Sequence, residues 1–433
     1  MSAAIHQGLV SACASKTLAV LKADLTHQYS PEDEKKRVAL LQTIQKAPNF
    51  ADNFSYEDLG DFLQYVYGSV KSPLETVTSE EMEPPIRTFL EKREMEFEFY
   101  INIGEAVYFD DEYELGKGQV VSFAALPSYA QEYLIRQWEL EFKFDRIPGE
   151  LQEYLGSRKK YWYLRTRVSS IGSARAVQKA LVVANRSIAL ARLFFLYDDA
   201  YLSQGVEHSF EGWYGFFDDG NVISSRQTGD KKMPLLRISL LDEEIHSANE
   251  VLKTDHPTDL DECIINTIDV FGLIRPGSPL NVRFLITVIA IESLLAGEES
   301  EDSISSRLSE RIASLLGDAP AWMIMKYGIK REELTEEYIN SHLADSRIAL
   351  QSEFKKIYSK RSGVAHEGLP SEDRGISKED YNLANTLLRF ALQRLLQLRR
   401  AGVINRIGRG TKPDEKSLID YLNQLKYSFK RFE

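Results

Sequence analysis

The stretch PLNVRFLITVIAIESLLAG, residues 279–297, is apolar on nearly every face. A helix of that kind is enclosed by other helices, so it is the expected centre of a bundle. Ser278 and Pro279 give it a cap and a first-turn proline, and it runs to Gly297. Glu292 is its one interior acid, with Val288, Ile289 and Leu295 on the same side. Helices are expected all around it. Residues 258–272 carry Ile264, Ile265, Ile268 and Phe271. Residues 303–316 align Ile304, Leu308, Ile312 and Leu315, with Gly317 beyond the end and Arg307 and Arg311 on a second stripe. Ser377 and Asp380 form a capping-box pattern before LANTLLRFALQRLLQLRR, which stops at Gly402. A last amphipathic segment holds Leu418, Tyr421, Leu422, Leu425 and Phe429.

Within this helical third lies Arg361-Ser362-Gly363-Val364-Ala365-His366, on a helix that Asp345 is placed to cap. At about 100° per residue, Leu350, Phe354, Ile357 and Ala365 fall within roughly 40° of Arg361. Arg361 therefore sits in an apolar stripe, where a guanidinium needs a partner or a task. Gly368 and Pro370 end the helix just past His366. A fixed cation and a titratable imidazole thus stand close to a helix end.

Toward the N-terminus the pattern changes. Residues 8–28, 30–46 and 56–69 read as helices, the second opened by Ser30 and Pro31. The acidic, proline-bearing stretch 79–85 reads as a linker. From Met95, the apolar residues Phe97, Phe99, Ile101 and Ile103 alternate with Glu96, Glu98, Tyr100 and Asn102, a half-buried strand with its glutamates on the solvated face. Leu140, Phe142 and Phe144 repeat the device, as do Trp162, Leu164, Thr166 and Val168. Asp219-Gly220 is a hairpin turn, and residues 172–197 form a long helix. The fold class is α+β: a helical segment 1–90, a mixed region 91–245 with an antiparallel sheet, an all-α bundle 250–402, and a basic amphipathic tail 403–433.

The 433 residues carry a formal net charge of -12, which argues against a large surface that coats nucleic acid nonspecifically and leaves room for a local basic pocket. Cys13 and Cys263 are the only cysteines, too few for a disulfide framework or a metal set, and fit a reducing cytoplasm. No signal peptide and no membrane span are expected. No phosphate loop, dinucleotide turn or H-E-x-x-H pair occurs, and no cofactor or metal is expected.

Residues 258–402 resemble a HEPN domain, closest to the Apea-like subgroup. Three pieces carry the likeness: FLITVIAIESLL with Glu292, SSRLSERIASLLG with Arg307 and Arg311, and FKKIYSKRSGVAHEG with Arg361 and His366. Ser362 stands where many active members have Asn, Asp or His. The resemblance implies metal-independent RNA cleavage in a composite site at a homodimer interface, of the prokaryotic toxin or antiviral defence type. His366 and Arg361 are then catalytic, Glu292, Ser362 and Arg311 supporting. Arg307, Lys355, Lys356 and Lys360 would line an RNA groove, and the N-terminal region would sense an unknown trigger. Simpler roles stand beside these. Arg361 pairs with Glu292 and staples the bundle, His366 meets a helix dipole, and Arg307 and Arg311 form a solvated face. Arg399, Arg400, Arg406 and Arg409 either bind RNA or solvate a helix end.

Overall fold

The computed structural model describes residues 7–24, 30–104, 113–145, 151–159, 162–194, 212–217, 222–227, 242–274, 278–295, 304–367, 375–407 and 416–422. Four helices come first: α1 (Gln7–Asp24), α2 (Pro31–Ile44), α3 (Leu59–Ser69) and α4 (Ser79–Leu90). Ser30 and Asp33 exchange side-chain and backbone hydrogen bonds at the start of α2, with Pro31 in its first turn, as expected. Phe50, Phe54, Phe62, Met82 and Phe89 fill the core between these helices.

The stretch 79–85 is not a linker but the first half of α4. Thr78 and Glu81 form a full capping box, and Met82, Ile86, Phe89 and Leu90 bury one face. Pro84 and Pro85 each withhold an N–H from the helix. The burial of those four side chains outweighs that loss.

A six-stranded antiparallel sheet follows, ordered β2-β3-β4-β1-β5-β6. Its strands are β1 (Met95–Gly104), β2 (Tyr113–Leu115), β3 (Gly118–Ser122), β4 (Trp162–Ser170), β5 (Gly212–Phe217) and β6 (Val222–Gln227). β5 and β6 pair as a hairpin, and the turn at Asp219-Gly220 lies outside the described residues. Helices α5 (Ser128–Asp145) and α6 (Leu151–Arg158) accompany one face. Leu140, Phe142 and Phe144, expected in a strand, belong to α5. The buried series Ala130, Leu134 and Trp138 recurs every four residues and sets a helical period, and it packs on Tyr100, Val121 and Tyr163. The expected solvated glutamate face is corrected in part: Glu96 is exposed, but the Glu98 side chain is only 13% exposed.

The other face is covered by α7 (Ser173–Phe194), whose Ala176 and Ala180 pack on Phe97 and Phe99. The Asp58 carboxylate accepts the Ala174 N–H at 2.8 Å and so caps α7 from the N-terminal helices. Farther along α7, Arg186 donates Nε and Nη2 to Asp269 at 2.6 and 2.7 Å. One helix thus touches the N-terminal helices, the sheet and the C-terminal bundle.

The bundle comprises α8 (Asp242–Lys253), α9 (Asp259–Phe271), α10 (Leu280–Leu295), α11 (Ile304–Leu316), α12 (Pro320–Tyr327), α13 (Glu336–Glu367) and α14 (Lys378–Arg400). α10 is its central helix, packed on α9, α11, α13 and α14. α13 begins well before the expected cap. Thr335 Oγ1 accepts the Tyr338 N–H at 3.2 Å, while Asp345 is exposed in the helix interior. Leu343, Leu350, Phe354 and Ile357 keep one buried stripe running past Asp345, so the helix has no reason to break there. Sheet and bundle share one core, from Leu115 and Leu164 through Ile291 to Leu392. Ile404, Ile407, Leu418 and Leu422 of the expected tail join that core, while Leu425 and Phe429 lie outside the described residues.

Candidate functional site

Arg361 sits late in α13, a 32-residue helix, and leans onto α10. Its Nη2 donates to Glu292 Oε2 at 3.1 Å. The two side chains are 24% and 18% exposed, so the pair lies at the edge of the core. The guanidinium also stands 5.6 Å from the centre of the Tyr358 ring, one turn earlier. Glu292 Oε1 and Arg361 Nε are buried and make no hydrogen bond among the described residues, so the contact is single-pronged. Burial raises the Tyr358 phenol, and the Glu292 carboxylate raises it further. Tyr358 was not singled out from sequence, though its spacing of three from Arg361 is the available signal.

The helix continues unbroken through His366 to Glu367. Five residues of regular helix rise about 7.5 Å and turn about 140°. Backbone positions 361 and 366 therefore sit about 140° apart around the helix axis. The His366 side chain lies outside those described. Ser362 is half-buried, Val364 is buried, and Ala365 is exposed rather than on the buried stripe. On a regular helix Val364 and Ala365 fall just outside opposite edges of the arc through Leu350, Phe354 and Ile357, and only the Val364 edge is covered.

The other candidates divide into two groups. Arg311 Nη1 donates to the carbonyl of Leu295, capping the end of α10, and burial with the nearby Arg307 charge lowers its pKa. Arg307 is half-buried on the same helix. Lys355, Lys356 and Lys360 lie on the opposite, exposed side of α13. With Ile348, Gln351, Ser352 and Ser359 they line an open groove. Lys356 lies 3.6 Å from Glu353, and Lys360 lies 2.6 Å from Asp380. Asp380 also accepts the Ser377 N–H at 2.9 Å, so one carboxylate caps α14 and holds Lys360. Burial pushes Asp380 up, but its bonds to Lys360 and Ser377 win and leave it below the usual carboxylate range. Lys355 has no ion pair among the described residues. Arg399 is taken by Asp261, and Arg406 Nε lies 3.9 Å from Asp259, so neither is a free RNA contact. Arg409 lies outside the described residues.

No family model, curated protein or solved structure matches the chain. Its functional reading therefore rests on the residues alone. Arg361 supplies a permanent cation anchored by Glu292, and α13 presents a cationic outer face. Among the described residues no cluster of three His, Cys, Asp or Glu side chains has the form of a metal site, and no helix is long and apolar enough to cross a membrane.

Proposed function

We propose that the chain is a HEPN-type endoribonuclease that needs no metal and works as a homodimer through residues 280–402. The observation that carries this reading is the Arg361–Glu292 pair, which fixes a guanidinium late in the helix that also bears His366. In the proposed reaction an RNA 2′-oxygen attacks the adjacent phosphorus while His366 takes its proton. Arg361 stabilises the negative charge on the pentacoordinate phosphorus. The bond to the 5′-oxygen breaks, that oxygen is protonated, and a 2′,3′-cyclic phosphate and a 5′-hydroxyl remain. DNA lacks the nucleophile and is spared.

In the proposed composite site, two copies about a two-fold axis bring an arginine from one to a histidine of the other. Lys355, Lys356 and Lys360 hold the RNA backbone on the outer face. In the cell the protein acts in the cytoplasm as a defence effector or toxin, with the N-terminal region sensing the trigger. Light scattering at micromolar concentration is expected to give a dimer, and a monomer in moderate salt counts against the composite site.

A second reading has its own support. Arg361 spends one N–H on Glu292 and leans on Tyr358, which is what a bundle staple requires. On that reading the chain is a silent HEPN scaffold for dimerisation or RNA binding. Cleavage of a mixed RNA pool by the wild type but not by His366→Ala separates the two.

A further inference from the structure

Away from the bundle, the sheet carries a second concentration of charge. Glu98 on β1 faces Arg167 on β4 directly across the ladder, and Arg165 lies two residues along on the same face. Both arginines donate their Nε–H to the same oxygen, Glu98 Oε1, at 2.6 and 2.8 Å. The other oxygen accepts from Tyr100 at 2.6 Å and from Tyr129 at 3.1 Å. Four donors thus occupy this carboxylate. Burial pushes Glu98 up, but the Tyr100, Arg167 and Arg165 donors outweigh it and hold its carboxyl below the usual range. The hub is ionised at neutral pH.

The arginines are not used up in the same way. A guanidinium has five N–H donors, and only the Nε–H of each has a hydrogen-bond partner among the described residues. Because both Nε atoms bind one oxygen, their separation cannot exceed the sum of those two contacts. Two guanidinium groups are therefore anchored at one oxygen, sharing one carboxylate between two positive charges. Glu96 follows on the same face, exposed, and hydrogen-bonds neither of them. The Arg165 and Arg167 side chains are 25% and 59% exposed, so the pair is reachable from solvent yet partly dehydrated. Tyr129, 40% exposed, brings a hydroxyl from the first turn of α5.

We propose that Arg165 and Arg167 form a binding site for the phosphate group of a small phosphorylated ligand, held by the Nη donors of both forks and oriented by Glu98. Geometry selects this class. A phosphate offers three or more oxygens in different directions and can engage two forks at once, whereas a carboxylate satisfies one. The site lies on the sheet, away from Arg361, and stands whether or not the bundle cleaves RNA.

Calorimetry with inorganic phosphate and with tripolyphosphate, at low ionic strength on the full chain, tests it. Wild type is expected to bind at one saturable site. Arg167→Gln, at an exposed position, should weaken binding roughly tenfold or more, with a melt that stays cooperative and shows the chain still folded. Glu96→Gln should tighten it by removing a competing charge, and Lys71→Gln, on an exposed loop, should change nothing. No saturable binding by wild type, or equal binding by wild type and Arg167→Gln, overturns the proposal. Binding of RNA but of neither phosphate probe also overturns it, in favour of a nucleic-acid contact.

Discussion

Arg361 on α13 and Glu292 on the central helix α10 meet at 3.1 Å, each side chain less than a quarter exposed. Removing one partner strands the other at the edge of the core, where unpaired charge is costly. Glu292→Ala is expected to lower stability by about 1–2 kcal/mol, discounted because the pair is still partly wet. Urea denaturation measures it. A midpoint equal to wild type would show that the pair does not hold the bundle.

A second relationship ties the N-terminal helices to α7. A Cβ on Gly172 would overlap the Asp58 carboxyl carbon and both of its oxygens. That carboxylate also accepts the Ser55 N–H at 2.8 Å and is buried, so it has little room to retreat. Gly172→Ala should cost about 1–3 kcal/mol, and Asp58→Ala about 1–2 kcal/mol through the lost cap. The double variant should cost less than the two single changes added, because the clash vanishes with Asp58. Strict additivity in thermal melts would refute that picture.

The Glu98 hub makes stability depend on pH in a stated direction. Its folded-state pKa is depressed, so the unfolded chain takes up the proton more readily. The contribution is complete above the unfolded value of about 4.3 and is lost as pH falls through the lower folded value. The stability gap between wild type and Glu98→Gln should be steady from pH 7 to about 5 and close in more acid solution. A gap that widens on acidification has the wrong sign.

Several of these relationships were open to a reader of the sequence and others were not. The serine cap at Ser30, the capping box at Ser377, the alternation from Met95 and the apolar 279–297 stretch are local patterns, and local patterns survive folding. Glu292 was marked because an acid in an apolar helix must find a cation, and Arg361 is that cation. The misreadings came from short-range signals that longer ones override. Pro84 and Pro85 spoke for a loop, but Thr78 and Glu81 had already started a helix. Asp345 had the chemistry of a cap, yet the buried stripe through Leu343 runs straight past it. The joining of Arg165 and Arg167 on Glu98 depends on strand register, which no local pattern encodes.

On the outer face of α13, Lys355 and Lys356 are exposed, so their replacement is expected to leave the fold intact. If this face carries RNA backbone, Lys355→Gln and Lys356→Gln should each weaken binding to single-stranded RNA and lower the salt slope by about one unit. Their melts should match wild type. Fluorescence anisotropy across a salt series is the check, and unchanged slopes would remove this face from the RNA path.

The most direct test of the central claim is cleavage of a mixed RNA pool by purified wild type, His366→Ala and Arg361→Ala, each with EDTA present. Wild type is expected to cut and leave 2′,3′-cyclic phosphate ends. His366→Ala should lose roughly 10² to 10⁴ in rate while still binding RNA. Arg361→Ala should lose both rate and affinity, and Arg361→Lys should not restore them fully, because a point charge does not replace a planar fork. Equal cleavage by wild type and His366→Ala, or cleavage abolished by EDTA, would contradict the account.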